Sequence, residues 1–224
     1  MRSLNYFSIL FSLFLLVGCS SDNGDDGNPM NDNNSNDDQQ QEPARTAIAD
    51  PAFEEALIAL GFDNEVDGFV LTDNIDNVTS LVLNEQGISS ISGIEDFVNL
   101  ENLWINDNQL ESLPISTNSK LKFIFADFNQ ISSINVSSLS VLEKVSLIDN
   151  TLTEIDVTNN PTLQQLVVPG NQLTSLDVSA NNALTVLDVT NNPLSCIKVS
   201  ATQQAEIPDT WEADPEDTYA LNCD

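Results

Sequence analysis

Residues 100–113 read LENLWINDNQLESL, and residues 163–176 read LQQLVVPGNQLTSL. The two stretches share apolar residues at their first, fourth, sixth, eleventh and fourteenth positions, and both have asparagine at the ninth position. Apolar residues at alternate positions predict a short strand with one buried face, and asparagine after such a run is typical of a turn. Each stretch is therefore predicted to be a strand followed by a turn.

The same template recurs at a fixed period. Copies begin at Val78, Leu100, Leu121, Leu142, Leu163 and Leu184, with one spacing of 22 residues and four of 21. A period of this length predicts a solenoid, because one coil cannot bury its own leucines and must stack on its neighbours. We expect six coils over residues 78–199, with a ladder of asparagines that satisfies backbone groups after each strand. The ladder residues are Asn108, Asn129, Asn150, Asn171 and Asn192, whereas the first copy has Gln86 in place of the asparagine.

The template LxxLxLxxNxL resembles that of leucine-rich-repeat proteins, in particular internalin-like and envelope-lipoprotein members with repeats of this length. The resemblance covers about residues 46–224. It implies a leucine-rich-repeat solenoid with a curved parallel β-sheet, short irregular or 3-10 segments on the convex side, and a concave face that usually binds partners. A further apolar column closes the opposite side of the coils: Ile115, Val136, Val157, Val178 and Val199.

Both ends of the stack need covers. Residues 46–77 are predicted to form a helical N-terminal cap, in which Asp50 caps a helix with its apolar residues at Phe53, Ala56, Leu57 and Leu60 and Gly61 ends it. After Val199 the template fails, and residues 200–224 are predicted to fold back as a C-terminal cap. We expect a disulfide between Cys196 and Cys223 to hold this cap, stabilising it by about 2–4 kcal/mol.

The turn Asp63 to Gly68 has acidic residues at alternate positions and glycine at the sixth, as at the start of a calcium-binding loop. The twelfth position is Asn74, where a bidentate glutamate is expected. An ordinary acidic turn is the favoured interpretation, calcium binding is the alternative, and no metal site is predicted.

The N-terminus has the features of a secretion signal. Residues 1–18 contain Arg2 followed by an apolar stretch too short for a membrane span, and the sequence then turns polar. The run LVGC at residues 16–19 resembles the lipobox of bacterial lipoproteins, which implies lipidation at Cys19; an ordinary signal peptide with an incidental cysteine is the alternative. Residues 19–45 are predicted to be the lipid anchor and a disordered acidic stalk. The acid-rich start of this stalk is similar to surface-export signals, so we expect outer-membrane anchoring and display on the cell surface, with periplasmic display as the alternative.

The composition argues against several function classes. Asp and Glu number 35 against 6 Lys and Arg, for a net charge of −29, which repels nucleic acids and anionic membrane surfaces. Histidine is absent, and no phosphate-binding loop, Ser-His-Asp set or CxxC motif occurs. We therefore predict no enzymatic activity and no cofactor. Asp107, Asp127 and Asp149 form an acidic row, but an open sheet offers them no desolvating pocket.

The candidate binding residues lie between the template positions, where strand side chains face away from the core. On three adjacent coils these positions carry aromatic and aliphatic residues with one lysine beside them: Trp104, Phe123, Phe125, Phe128, Lys144 and Ile148, next to Val82 on the first coil. An exposed apolar patch on so acidic a chain indicates a binding site. The alternatives are that the aromatic side chains pack on one another, or that the inward and outward positions are reversed in the phenylalanine-rich coil.

These features predict an envelope-anchored protein-binding module, with a role in adhesion or recognition, that uses the concave face. Two alternatives remain: a surface lipoprotein that binds carbohydrate, and a structural component of the envelope.

Overall fold

A computed structural model describes residues 42–223 of the chain. The predicted signal peptide, the predicted lipidation site Cys19 and the stalk up to residue 41 lie outside the described residues. All described residues belong to one compact unit. No helix within residues 42–223 is long and apolar enough to cross a membrane.

The N-terminal cap consists of a two-stranded antiparallel sheet and two short helices, with the bounds β1 (Arg45–Ala47), α1 (Pro51–Ala59), β2 (Phe69–Leu71) and α2 (Thr72–Ile75). Helix α1 begins where the sequence predicts, because an Asp50 carboxylate oxygen accepts the N–H groups of Ala52 and Phe53 at 2.8 and 3.3 Å. The Phe53 ring lies 6.4 Å from the ring of Phe97, so the helix covers the first end of the core. Leu60 differs from expectation: it follows the last helical residue and is 45% exposed.

The repeats contain ten short strands and one 3-10 turn at Ile94–Asp96. Their bounds are β3 (Ser80–Val82), β4 (Asn102–Trp104), β5 (Ser112–Leu113), β6 (Phe123–Phe125), β7 (Ser133–Ile134), β8 (Lys144–Ser146), β9 (Gln165–Val167), β10 (Leu176–Asp177), β11 (Val186–Asp188) and β12 (Cys196–Lys198). Strands β3, β4, β6, β8, β9 and β11 pair in parallel, in that order, as the main sheet. The predicted leucine-rich-repeat solenoid with a parallel sheet is confirmed.

The side of the coils opposite the main sheet contains more β-strand than the sequence predicted. Strands β5 and β7 pair there as one short parallel sheet, and β10 and β12 belong to another. Residues 154 and 155, in the coil between β7 and β10, form no strand. The second face is therefore two short sheets separated by the fourth coil.

The predicted asparagine ladder is confirmed. Asn150 is representative: its Oδ1 accepts the N–H of Ile131 at 2.9 Å, and its Nδ2 donates to the carbonyl oxygen of Ala126 at 3.0 Å. The five ladder asparagines are each buried, at 6–8% exposure. Each side chain thus joins its own coil to the preceding one.

A second ladder, on the other side of the coils, was not predicted. The Nδ2 groups of Asn118, Asn160 and Asn181 donate to two carbonyl oxygens each in the preceding coil, at 2.8 to 3.1 Å. Leu139 occupies the corresponding position in the third coil. The regular spacing of these asparagines was the available signal, although the interruption at Leu139 obscured it.

The C-terminal cap adds a seventh turn to the solenoid, where the sequence template predicted only six. Its elements are α3 (Ala201–Ala205), β13 (Trp211–Glu212) and β14 (Thr218–Ala220). Strand β13 continues the main sheet beside β11, and β14 continues the second sheet beside β12. The cap has no leucine template because Trp211 occupies the place of the buried leucine, in register with Leu187. The predicted disulfide between Cys196 and Cys223 is present, with Cα atoms 5.7 Å apart.

Candidate functional site

The outer face of the main sheet presents its side chains in rows, because the parallel strands stack in register. The first residues of the repeat strands form a row that we call the first row: Ser80, Asn102, Phe123, Lys144, Gln165 and Val186. The third residues form the middle row: Val82, Trp104, Phe125, Ser146, Val167 and Asp188. Strand pairing therefore brings together the aromatic residues that the sequence placed on this face.

The middle row is apolar over its first three coils. The rings of Trp104 and Phe125 are stacked, with centroids 5.9 Å apart and planes inclined by 5°. Both side chains remain partly exposed, and Val82 beside Trp104 is 53% exposed. The aromatic residues thus pack on one another, as the alternative interpretation held, and still contribute to the surface.

The first row combines an aromatic ring with a positive charge. The Lys144 ammonium lies 5.5 Å from the centre of the Phe123 ring, in the range of a cation–π interaction, which confirms that these residues are neighbours. Among residues 42–223 the ion pairs involve Arg45, Lys122 and Lys198 and do not include Lys144. Lys122 pairs with Glu101 at 2.8 Å, and the hydrogen bond and charge of Glu101 raise the pKa of Lys122. Lys144 is thus a positive charge without a paired carboxylate in the described chain.

A third ladder, on the outer face itself, holds the ends of the first strands. The side-chain oxygen of Asn84 accepts the N–H of Asn106, that of Asn106 accepts the N–H of Asp127, and each distance is 2.8 Å. Asp127 in turn accepts from the N–H of Ile148 at 2.8 Å and from the hydroxyl of Ser146 at 2.6 Å. The first four coils are therefore joined along this edge, and the second and third of them carry the aromatic residues of the face. The sequence did not reveal this role for Asn84, Asn106 and Asp127.

This outer ladder stops at Ile148, which has no side-chain acceptor. The matching residue in the next coil is Pro169, which has no N–H to be left unsatisfied. Ile148 is partly exposed beside the end of the ladder, at the boundary between the aromatic coils and the rest of the face. Ile148 offers no side-chain acceptor to the next coil, and Pro169 has no N–H that needs one. No backbone donor is therefore left unsatisfied where the outer ladder ends.

The residue before each ladder position has a left-handed backbone conformation in all six coils. These residues, which we call the turn row, are Glu85, Asp107, Phe128, Asp149, Gly170 and Asn191, with φ between 49° and 69°. The N–H of Phe128, for example, donates to the carbonyl oxygen of Ile148 at 2.8 Å, so register with the next coil imposes the conformation. Phe128 is 49% exposed, and the acidic residues of the row are exposed as well. Among the predicted site residues, Phe128 therefore lies at the edge of the face.

The acidic turn at residues 63–68 is held by a buried carboxylate that sequence analysis did not single out. Glu54, 1% exposed on α1, accepts the N–H groups of Asp67, Gly68 and Phe69 at 2.7 to 3.0 Å. Asp67 itself pairs with Arg45 at 3.2 Å. Within the described residues no group of three or more Asp, Glu, Cys or His side chains has a geometry that could hold a metal ion. The turn thus has a structural role in docking α1 against β2.

Comparison with known proteins identifies similar folds. No protein-family model matches the chain, and no curated protein matches it. Among solved structures, the functional domain of InlJ from Listeria monocytogenes, which includes a cysteine ladder, has a TM-score of 0.62 and 26% identity over 70% of this chain and 38% of that one. The internalin InlF of the same organism has a TM-score of 0.59 and 24% identity over 68% of this chain. Pollen Receptor Kinase 3 has a TM-score of 0.51 and 22% identity over 66%.

The chain spans 38% of the InlJ structure and 50% of the InlF structure. These neighbours agree with the leucine-rich-repeat fold read from the sequence. In this chain, buried asparagines occupy the ladder positions.

Proposed function

We propose that the chain is a recognition module, anchored in the bacterial envelope, that binds a protein partner through the outer face of the main sheet. The observation that carries the proposal is the apolar group on adjacent coils, formed by Val82, Trp104, Phe125 and Phe128. Internalin and receptor-kinase neighbours support a recognition module in general. Adhesion, envelope anchoring and cell-surface display are parts of the proposal that the sequence motivates. We propose no catalytic role.

Two features favour a protein partner over a glycan. Sugars bind aromatic residues by lying on a ring face, whereas Trp104 and Phe125 each cover one face of the other. Val82 lies beside Trp104 in the middle row, on the side away from Phe125, and its side chain is exposed. A surface of ring edges and aliphatic groups suits the apolar side chains of a protein. A permanent partner subunit within the envelope would use the same surface and is an outcome of the test below.

The test is a binding screen with the chain from Ser20 onward, against extracellular proteins and a glycan array. We expect the screen to identify protein ligands that bind the unchanged chain but do not bind the variant Trp104→Ala/Phe125→Ser/Phe128→Ser. The matched control, Leu60→Ser/Val98→Ser/Val141→Ser, also removes exposed apolar side chains but from other surfaces. Ligands that bind both variants equally would disprove use of this face, and glycan ligands lost with Trp104 would favour the carbohydrate alternative. Circular dichroism of both variants checks that they are folded.

Anchoring at Cys19 is tested separately, by mass spectrometry of the N-terminal peptide from membranes. We expect the peptide to begin at Cys19 with acyl chains attached, and Cys19→Ala to release the protein from the membrane fraction. An unmodified Cys19 would contradict the anchor. Protease treatment of intact cells distinguishes display on the surface from display in the periplasm.

A further inference from the structure

The turn row contains one aromatic residue, Phe128, in a backbone conformation that disfavours bulky side chains. In five coils the left-handed position is occupied by Glu, Asp, Gly or Asn, and in the third coil it is occupied by Phe128 at φ 55°. A left-handed backbone is disfavoured for bulky side chains and is tolerated best by Gly, Asn and Asp. The Phe128 side chain is also 49% exposed, so burial in the core does not explain it.

Three carboxylates share this row with Phe128. Asp107 precedes it by one coil and Asp149 follows it by one coil, at a strand spacing of about 4.8 Å per coil, and Glu85 lies one coil beyond Asp107. All three are exposed, and none forms an ion pair within residues 42–223. Gly170 leaves room for Asp149, because a Cβ at that position would lie 2.2 Å from the Asp149 Oδ1 atom. We call this surface, Phe128 with Glu85, Asp107 and Asp149, the acidic edge.

We propose that the acidic edge binds a protein segment in which an apolar side chain lies next to lysine or arginine. This inference rests on the proposed function and specifies the partner's chemistry. The apolar side chain packs on Phe128, and the basic side chains pair with the carboxylates on either side of it. A neutral or acidic segment would cover those carboxylates without supplying a partner, which costs free energy. The net charge of −29 also attracts basic partners at long range.

The first test is selection from a displayed library of random peptides by the chain from Ser20 onward. We expect enriched peptides to carry lysine or arginine beside an aliphatic or aromatic residue. Affinity for the strongest peptide should fall about tenfold or more in Glu85→Gln/Asp107→Asn/Asp149→Asn. The control Glu111→Gln/Glu154→Gln/Glu206→Gln changes the net charge equally at exposed sites elsewhere and should retain binding. Equal losses in the two variants would show that only net charge matters and would overturn the site.

A second variant separates binding from structure. Asparagine suits the left-handed conformation, so Phe128→Asn should leave the melting temperature unchanged or raise it by a few degrees. Peptide affinity should nevertheless fall at least about tenfold. A lower melting temperature with unchanged affinity would mean that Phe128 is a packing residue and would overturn the inference.

The outcomes also separate this inference from the proposed function. If the enriched peptides lack basic residues but do not bind Trp104→Ala/Phe125→Ser/Phe128→Ser, the outer face remains the binding site. The proposal of a basic partner is then overturned. Peptides that bind this variant as tightly as the unchanged chain would contradict both. A library with no enriched peptide overturns the inference, and the protein screen then decides the proposed function.

Discussion

Asn150 shows how a single side chain joins two coils. It is 7% exposed, and its amide satisfies a backbone N–H of the previous coil and carbonyl oxygens of both coils. Alanine at this position would leave these buried groups without partners, and such groups are costly to leave unsatisfied. The asparagine is therefore required by the backbone and not by a ligand.

We expect Asn150→Ala to lower the free energy of unfolding by about 2–3 kcal/mol. The measurement is urea denaturation followed by circular dichroism, with Asn159→Ala, an exposed neighbour in the same coil, as the control. The control should change stability little. An unchanged midpoint for Asn150→Ala would count against the ladder.

Helix α1 is docked to the repeats by Asp50, a contact between elements that are far apart in sequence. One carboxylate oxygen caps the helix, and the other accepts the N–H and hydroxyl of Ser89 at 2.7 and 2.6 Å and the N–H of Ser90 at 2.9 Å. Burial raises the pKa of Asp50, but the hydrogen bonds from Ser89, Ser90 and Ala52 together outweigh burial, so the pKa is lowered. The charged carboxylate therefore stabilises the cap.

The lowered pKa predicts a pH dependence for this contact. Its stabilisation is complete above the unfolded-state pKa, about 3.9, and is lost as pH falls through the lower pKa of the folded state. We expect Asp50→Asn to cost about 1–3 kcal/mol near pH 6, because an amide nitrogen cannot accept the serine groups. The deficit should shrink as the pH falls through the folded-state pKa, because protonated Asp50 is then uncharged, as asparagine is. Asp209→Asn, at an exposed site, is the control, and a deficit independent of pH would refute the mechanism.

The contacts that join neighbouring coils are not the same along the whole solenoid. The main sheet and the Asn108-to-Asn192 ladder continue through all the repeats, but the second sheet is interrupted at residues 154 and 155 and the outer ladder ends at Ile148. A groove of about 550 Å³ lies at the interruption and is lined by Ser133, Glu154, Asp156 and Leu176 among others. In a solenoid, each coil is stabilised mainly by its nearest neighbours. The junction between the fourth and fifth coils is therefore the least reinforced.

We expect hydrogen exchange to be fastest, within the repeats, at the amides of residues 153–157. The corresponding amides at Leu113, Ile134, Leu176 and Ile197 lie in strands and serve as internal controls. In low denaturant, exchange should begin in the fourth coil while both flanking groups of coils remain protected. Uniform protection along the second face would contradict this prediction.

The repeat positions could be predicted from the sequence because every coil must bury the same apolar positions and satisfy the same backbone groups. The period fixed the register of the strands and the buried columns, and Asp50 and Pro51 marked the start of α1. The seventh turn escaped prediction because Trp211 and Tyr219 replace the leucines of the template. The candidate site was predicted as a set of outward residues, and the stacking of Trp104 on Phe125 and the exposure of Phe128 depend on rotamers that periodicity does not specify.

The sequence by itself determined the parallel sheet, the asparagine ladder and the pairing of Cys196 with Cys223. The sheet and the ladder follow from local spacing, because a 21-residue period places equivalent residues side by side in successive coils. The disulfide was predictable because Cys196 and Cys223 are the two cysteines that remain once Cys19 is assigned to the predicted lipid anchor. Only the tertiary structure decided how Glu54 holds the acidic turn, where the outer ladder ends and why Phe128 is exposed at the edge of the face. Those features depend on single contacts that do not recur with the repeat period, so the spacing of residues along the chain does not specify them.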